Sequence, residues 1–264
     1  MTIAHGWDPD RYLTYADERG RPFVELVARV GATAPTRVVD LGCGPGNLTA
    51  LLAERWPDAQ VTGVDSSPEM IERATADHPG VGFAVEDLRE WLERTEPVDV
   101  LVSNATLQWV PGHRELLPAL VRAVRPGGWL AFQVPGNFDE PSHTIRRELA
   151  ADPRFASHTH GVAVPSAHDA ATYLHDLAAL GCEVDAWETT YLHVLTGEDP
   201  VFTWVSGTGA RPTLQALPGG VRDEFEAEFR SRLRAAYPPI EYAGQQAVVL
   251  PFRRVFVVAR SVTR

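Results

Sequence analysis

The sequence predicts an α/β fold: a doubly wound, mostly parallel sheet of seven strands that carries a helical cap. Three observations predict it. From residue 37 onward, short apolar runs alternate with amphipathic stretches, the pattern of strands and helices wound into a parallel sheet. A glycine-rich turn, Asp40-Leu41-Gly42-Cys43-Gly44-Pro45-Gly46, stands between the first run and the first amphipathic stretch. Residues 196–242 are too many for a plain turn between two strands.

The elements follow in order. Beyond an N-terminal region with Tyr12 and Tyr15, residues 22–30 read as a helix, with Phe23, Leu26, Val27 and Val30 at helical spacing and Gly31 ending it. Residues 37–41, 60–64, 82–85, 98–102 and 129–134 are apolar runs of strand length, as strands buried on both faces require. Between them, 47–56, 68–76 and 113–124 supply the clearest helices, and Pro68 suits a first helical turn because its missing N–H would be unpaired there anyway. Arg125-Pro126-Gly127-Gly128 reads as a structural turn before the fifth strand. Further on, 169–180 is helical, 183–194 strand-like and 248–260 a long final strand, so that the last two close the sheet's edge. In the insertion, Val221, Phe225, Phe229, Leu233 and Tyr237 recur every four residues, an amphipathic helix whose apolar stripe packs on its own domain or else meets a partner.

A chain of 264 residues, 44% hydrophobic and 22% charged, can bury a full core as a single domain without disulfides or metal. Its formal charge of −11 would repel a phosphate backbone, which argues against nucleic acid as a partner. An anionic small molecule could bind only where cationic side chains gather. Cys43 and Cys182 are the only cysteines, and Cys43 lies inside the glycine turn, so a disulfide framework is not expected. No signal peptide and no membrane-spanning run is evident, so the cytoplasm is the expected compartment, with no membrane partner and a monomer as the favoured state. His158 and His160 lack neighbouring ligands at metal-binding spacing, and no metal is expected.

A glycine turn between strand and helix lets a ligand approach the backbone, with the first helical N–H groups aimed at it. Dinucleotides and adenosyl cofactors both use such a turn, and a purely structural turn is a third reading. Spacing separates them. A dinucleotide fingerprint would place Gly or Ala where Asn47 stands, and Asp40 just before the loop would repel a pyrophosphate while attracting an amino group. Asp65, 21 residues on from Gly44, can accept two hydrogen bonds from ribose hydroxyls, or else cap the helix at Pro68, a role Ser66 and Ser67 could equally fill. Asp87, beside the Leu88 N–H, can take the amine of an adenine ring. Asn104 and Ala105 end the fourth strand, at the edge where open α/β sheets bind ligands, and Trp109 reads equally as cofactor wall or core.

With these residues in view, the chain resembles the class I, Rossmann-like methyltransferases, and within them the family of bacterial trans-aconitate 2-methyltransferases. The resemblance runs through WDPDRYLTYADERGRPFVELVARV, VVDLGCGPGNLTALLAERWP, TGVDSSPEMI, SNATLQWVP, EPSHTIRREL, GCEVDAWETTYLHVLTG, TGARPTLQ and FRRVFVVAR. It departs between residues 152 and 166, and Phe138 stands where the family has Trp. The resemblance implies S-adenosyl-L-methionine as cofactor, S-adenosyl-L-homocysteine as product, and a cofactor set of Asp40, Gly42, Gly44, Asp65, Ser66, Met70, Asp87, Leu88, Asn104, Ala105 and Trp109. It also implies five sections of one domain: a helical lid (1–31), a cofactor-binding core (32–135), substrate-side helices with an edge strand (136–195), a cap (196–242) and a final strand (243–264).

The implied reaction puts a methyl group on one carboxylate of trans-aconitate. A carboxylic acid with a pKa of about 4 is already ionised at neutral pH, so no general base or catalytic residue is expected, only positioning and desolvation. The remaining carboxylates call for guanidinium groups, and Arg211, Arg19, Arg21 and Arg254 lie in the resembling segments, with Tyr12, Tyr191 and His193 as hydrogen-bond donors. Another small acceptor, or a module that binds the cofactor without turnover, are the rival readings.

Overall fold

Strand β1 (Arg37–Leu41) presents Val38, Val39 and Leu41 to the interior, and β4 (Val98–Asn104) is as deeply buried beside it. Such strands belong at the centre of a sheet covered on both faces. In the computed structural model, which describes residues 20–262, they lie there. β1 pairs in parallel with β2 (Gln60–Asp65) on one side and with β4 on the other; β2 continues to β3 (Gly82–Val85) and β4 to β5 (Val124–Pro135), all parallel. With β6 (Cys182–Leu195) and β8 (Gln245–Ser261) the order is β3-β2-β1-β4-β5-β8-β6, and β7 (Ile240–Tyr242) forms an antiparallel hairpin with β8 off that path. Chain order reverses between β1 and β4, which leaves a crevice at their carboxyl ends.

Helices α1 (Gly20–Ala28), α2 (Asn47–Arg55), α3 (Pro68–Asp77), α4 (Leu88–Arg94) and α5 (Leu117–Arg122) occur with the first five strands; α6 (Pro141–Ala151), α7 (Ala156–Thr159) and α8 (Ala170–Ala179) follow β5; α9 (Pro200–Ser206), α10 (Arg211–Ala216) and α11 (Gly219–Ala236) fill the insertion. The helix expected over 113–124 is broken. A 3₁₀ turn covers His113–Leu116, and α5 starts beside Pro118, which has no N–H to continue a helix from upstream and would crowd the carbonyl four residues back. The Arg125-Pro126-Gly127-Gly128 segment is not a turn ahead of β5 but an irregularity inside it: Val98 pairs with Val124 and Val100 with Trp129, so the extra residues bulge out. Arg125 fastens the bulge with a 2.8 Å bond to Asp99 Oδ1.

The described residues fall into two compact units. The first runs to Val134 and takes in His168–Glu188 and the chain from Val255; the second comprises Pro135–Ala167 and Thr189–Arg254. In the first, Val38, Leu41, Val64, Leu101 and Phe132 are among the core side chains. The second has its own core, in which Phe225, Phe229 and Leu233 of α11 pack with Leu149, Phe155, Phe202 and Leu250. The four-residue stripe is therefore spent on packing within this unit, each buried aromatic contributing roughly 1.5–3 kcal/mol. No described helix is long and apolar enough to cross a membrane.

Candidate active site

Loops after the first four strands converge on the crevice of the first unit. After β1, Gly42 and Gly44 take φ of 82° and 55°, a region that favours glycine. They differ in surroundings. A Cβ on Gly42 would lie 2.2 Å from Thr106 Oγ1, whereas one on Gly44 would meet nothing within 4 Å among the described residues. Gly42 is thus a packing glycine, and Gly44 borders open space.

Asp65 ends β2 and holds the turn in place. Its Oδ2 accepts the Gly44 N–H and its Oδ1 the Ser67 N–H, both at 2.9 Å. The helix cap is Ser67, whose Oγ accepts from Met70 N at 3.2 Å, so α3 does not consume Asp65. Both carboxylate oxygens keep a lone pair for a ligand. Asp87 after β3 caps α4 by accepting the Arg89 N–H at 2.8 Å, and the Arg89 guanidinium donates to Pro111 O at 2.6 Å. After β4, Thr106 Oγ1 donates to Gly42 O at 3.1 Å, tying that loop to the glycine turn, and Gln108 Nε2 donates to Ala105 O at 2.5 Å. Ala105 itself sits at a φ of 53°, which costs a non-glycine residue some strain.

These loops enclose a cleft of about 600 Å³. Gly42, Gly44, Asp65, Ser66, Met70, Asp87, Leu88, Asn104, Ala105 and Trp109 line it. Asp40, expected with them, is not on the wall. Only 2% exposed, it accepts Thr49 Oγ1 at 2.7 Å, and burial above all, with the Asp65 charge adding, pushes its pKa up to about 6. Burial first, then Asp40 and Asp65, also push the Cys43 thiol far up, so it is no nucleophile. Sequence reasoning missed Ser67, Glu86, Arg89, Thr106 and Pro111 as lining residues. Ser67 before Pro68 carried a capping signal, but the Thr106 bond to Gly42 spans 64 residues and has no local signature.

An adenosyl ligand fits these residues. Asp65 offers acceptors for a vicinal diol, Gly44 leaves room at the backbone, and the buried Asn104 Oδ1 has no hydrogen-bond partner among the described residues. An orphaned acceptor on a cleft wall is where a ligand donor belongs. Among the described residues no group of His, Cys, Asp and Glu could hold a metal.

The methyltransferase domain family matches residues 14–186. Trans-aconitate 2-methyltransferases from Streptomyces avermitilis, Rhodococcus jostii and Methylobacterium nodulans are 53%, 51% and 46% identical to this chain, covering 96% of it each time and 96%, 99% and 98% of themselves. The chain belongs to the trans-aconitate 2-methyltransferase family. Solved structures share its class I fold at low identity. The YcgJ protein from Bacillus subtilis is 14% identical with a TM-score of 0.57 over 92% of this chain and 98% of that one. Haemonchus contortus phosphoethanolamine N-methyltransferase 2, in complex with S-adenosyl-L-methionine, is 17% identical with a TM-score of 0.54 over 92% and 52%.

The residues expected on the acceptor side are distributed as follows in this family member. Tyr12 and Arg19 lie outside the described residues. Arg21 is exposed on α1 and paired with Glu25 at 2.8 Å. The second unit contains the others. Tyr191 and His193 are buried on β6, where the His193 ring stacks on Trp204 at 4.7 Å between centroids. Phe252 meets His193 edge-on at 5.7 Å and carries the buried Arg254 guanidinium over its ring at 4.5 Å. These four side chains and Arg254 form one aromatic and cationic layer. Arg211, by contrast, is exposed at the start of α10.

Proposed function

We propose that the protein transfers the methyl group of S-adenosyl-L-methionine to one carboxylate of trans-aconitate, giving a monomethyl ester and S-adenosyl-L-homocysteine. The observation that carries this reading is the 46–53% identity to enzymes of that name, which runs through the second unit as well as the cofactor cleft. When bound, the cofactor supplies an electrophilic methyl on a sulfonium. Asp65 would take the ribose hydroxyls, Asp87 with the Leu88 N–H the adenine edge, and Gly42, Gly44, Asn104 and Ala105 the methionine end. Asp40, behind the glycine turn, adds negative potential that favours the cationic ligand.

The acceptor arrives ionised, since its carboxyl groups titrate near about 4, so the protein needs no base. An arginine clamped on the reacting oxygen would lower its nucleophilicity; Arg211, Arg254, Arg19 and Arg21 are therefore assigned to the carboxylates that do not react, with Tyr12, Tyr191 and His193 as donors. The work left to the chain is to exclude water and hold donor and acceptor in line. Two free cysteines and no membrane-crossing helix among the described residues support a cytoplasmic enzyme. Initial rates across acids with three, two and one carboxylates test the reading: kcat/KM should fall about tenfold or more with each non-reacting carboxylate removed. Equal values across the series would overturn it.

A further inference from the structure

Among the described residues, the second unit buries a cation without an anion. Arg146 on α6 is 3% exposed, and its one hydrogen bond among the described residues is from Nη1 to Thr213 Oγ1 at 2.9 Å. Among the described residues its buried Nε has no partner, and no carboxylate pairs with it. Arg147 beside it is satisfied elsewhere, donating to Phe138 O at 2.7 Å and facing Asp139 at 3.9 Å, so it adds positive potential and relieves none. A guanidinium has five N–H donors, and one threonine hydroxyl answers only one of them. Burying a charged group in that state is costly unless a counter-charge is brought to it.

The polar groups near Arg146 in sequence are unmatched as well. Ser142 and His143 precede it by four and three residues on the same helix face. Both are buried, and among the described residues Ser142 Oγ and His143 Nδ1 have no partner; in the loop before them, buried Asn137 leaves its Oδ1 without one too. His143 is fixed by packing, edge-on to Phe138 at 5.2 Å and against Gly209, where an added Cβ would come within 2.7 Å of its ring. Burial first, then Arg146 and Arg147, hold the imidazole pKa down to about 4, so it stays neutral at physiological pH. The set therefore offers one fixed positive charge, a hydroxyl, a neutral imidazole and an amide, with no anionic group to hold a metal. One guanidinium with a free edge matches one carboxylate, planar and singly charged, better than a doubly charged phosphate.

We propose that Arg146 is a buried anchor for one non-reacting carboxylate of the acceptor, with Thr213 orienting the guanidinium and Ser142 donating beside it. The identity of the acceptor rests on the function proposed above; the anchor rests on this unpaired buried cation. The test is calorimetric titration of trans-aconitate and of tricarballylate into protein holding S-adenosyl-L-homocysteine, where no turnover occurs. Arg146→Gln and Arg146→Lys should each weaken binding about tenfold or more, and leave affinity for S-adenosyl-L-homocysteine within about twofold of wild type. Should Arg146→Gln fail to fold, Arg146→Lys keeps charge and stem but not the planar grip, and the same loss is required of it. The trimethyl ester of tricarballylate should not bind the wild type. Affinity for the acids unchanged in the folded variants, or ester bound as well as acid, overturns the anchor. Acid binding that depends on Arg146 with no methyl transfer to trans-aconitate overturns the proposed acceptor and leaves the anchor standing.

Discussion

The Asp65 carboxylate joins the amide of Gly44 to the amide of Ser67, one oxygen to each, at 2.9 Å. A single side chain thus ties the glycine turn to the start of α3 and still has lone pairs left for a ligand. Asp65→Ala removes the tie together with the acceptor proposed for the ribose. Its dissociation constant for S-adenosyl-L-methionine should rise about tenfold or more, at least about 1.4 kcal/mol, by calorimetry. Wild-type affinity in the folded variant would remove Asp65 from the cofactor site.

Gly42→Ala should cost mainly stability and Gly44→Ala mainly cofactor binding. Gly42→Ala drives a methyl group into the Thr106 side chain, with contacts near 2.2 Å, and should lower unfolding free energy by about 1–3 kcal/mol or more in urea. Gly44→Ala meets no other side chain or backbone within 4 Å among the described residues, so it should cost only about 1–2 kcal/mol of backbone strain. Its methyl group reaches the open cleft, and the cofactor dissociation constant should rise about tenfold. If the two variants lose stability equally and bind the cofactor equally, this division is wrong.

Asp40 gives a pH signature. Its pKa is about 6 folded against an ordinary 3.8, so the folded protein holds this proton more tightly than the unfolded chain. The cost of ionising it is absent below about pH 3.8, grows from there to about pH 6, and is full above that. Asp40→Asn keeps an acceptor for Thr49 and should stabilise the protein by about 1–3 kcal/mol near pH 7.5, with almost no gain near pH 4. Urea unfolding at both pH values measures the difference, and equal shifts at the two would contradict it. The same variant should bind S-adenosyl-L-methionine more weakly.

The parallel core was legible because β1 and β4 are short, largely apolar runs buried on both faces. Legibility failed where side-chain direction or long-range contact decided the outcome. Asp40 immediately precedes the turn in sequence, yet its side chain is claimed by Thr49 behind the cleft wall. Pro118 split a well-patterned helix, and the Arg125–Gly128 breaker was absorbed as a bulge because Asp99 could hold it. Arg146 and Arg147 are adjacent arginines on one amphipathic helix; only folding shows that one is buried and the other paired at the surface. Thr106 became part of the site through a contact 64 residues away.

The exposed arginines make a further contrast. Arg211 has no side-chain partner among the described residues, whereas Arg21 is engaged by Glu25 at 2.8 Å. Arg211→Ala should raise KM for trans-aconitate about tenfold with cofactor affinity nearly intact. Arg21→Ala should do less, since its exposed pair is worth about 0.2–1 kcal/mol and must be broken before it can grip a ligand. An unchanged KM in Arg211→Ala would remove that residue from the acceptor site.

The most direct measurement follows the methyl group itself. Purified protein is incubated with trans-aconitate and S-adenosyl-L-methionine labelled in its methyl, and part of the labelled product is treated with mild alkali. The label should appear in an acid that alkali cleaves to labelled methanol, as a methyl ester must. Label that survives alkali on carbon or nitrogen, or no transfer above a blank without acceptor, would contradict carboxylate methylation by this protein.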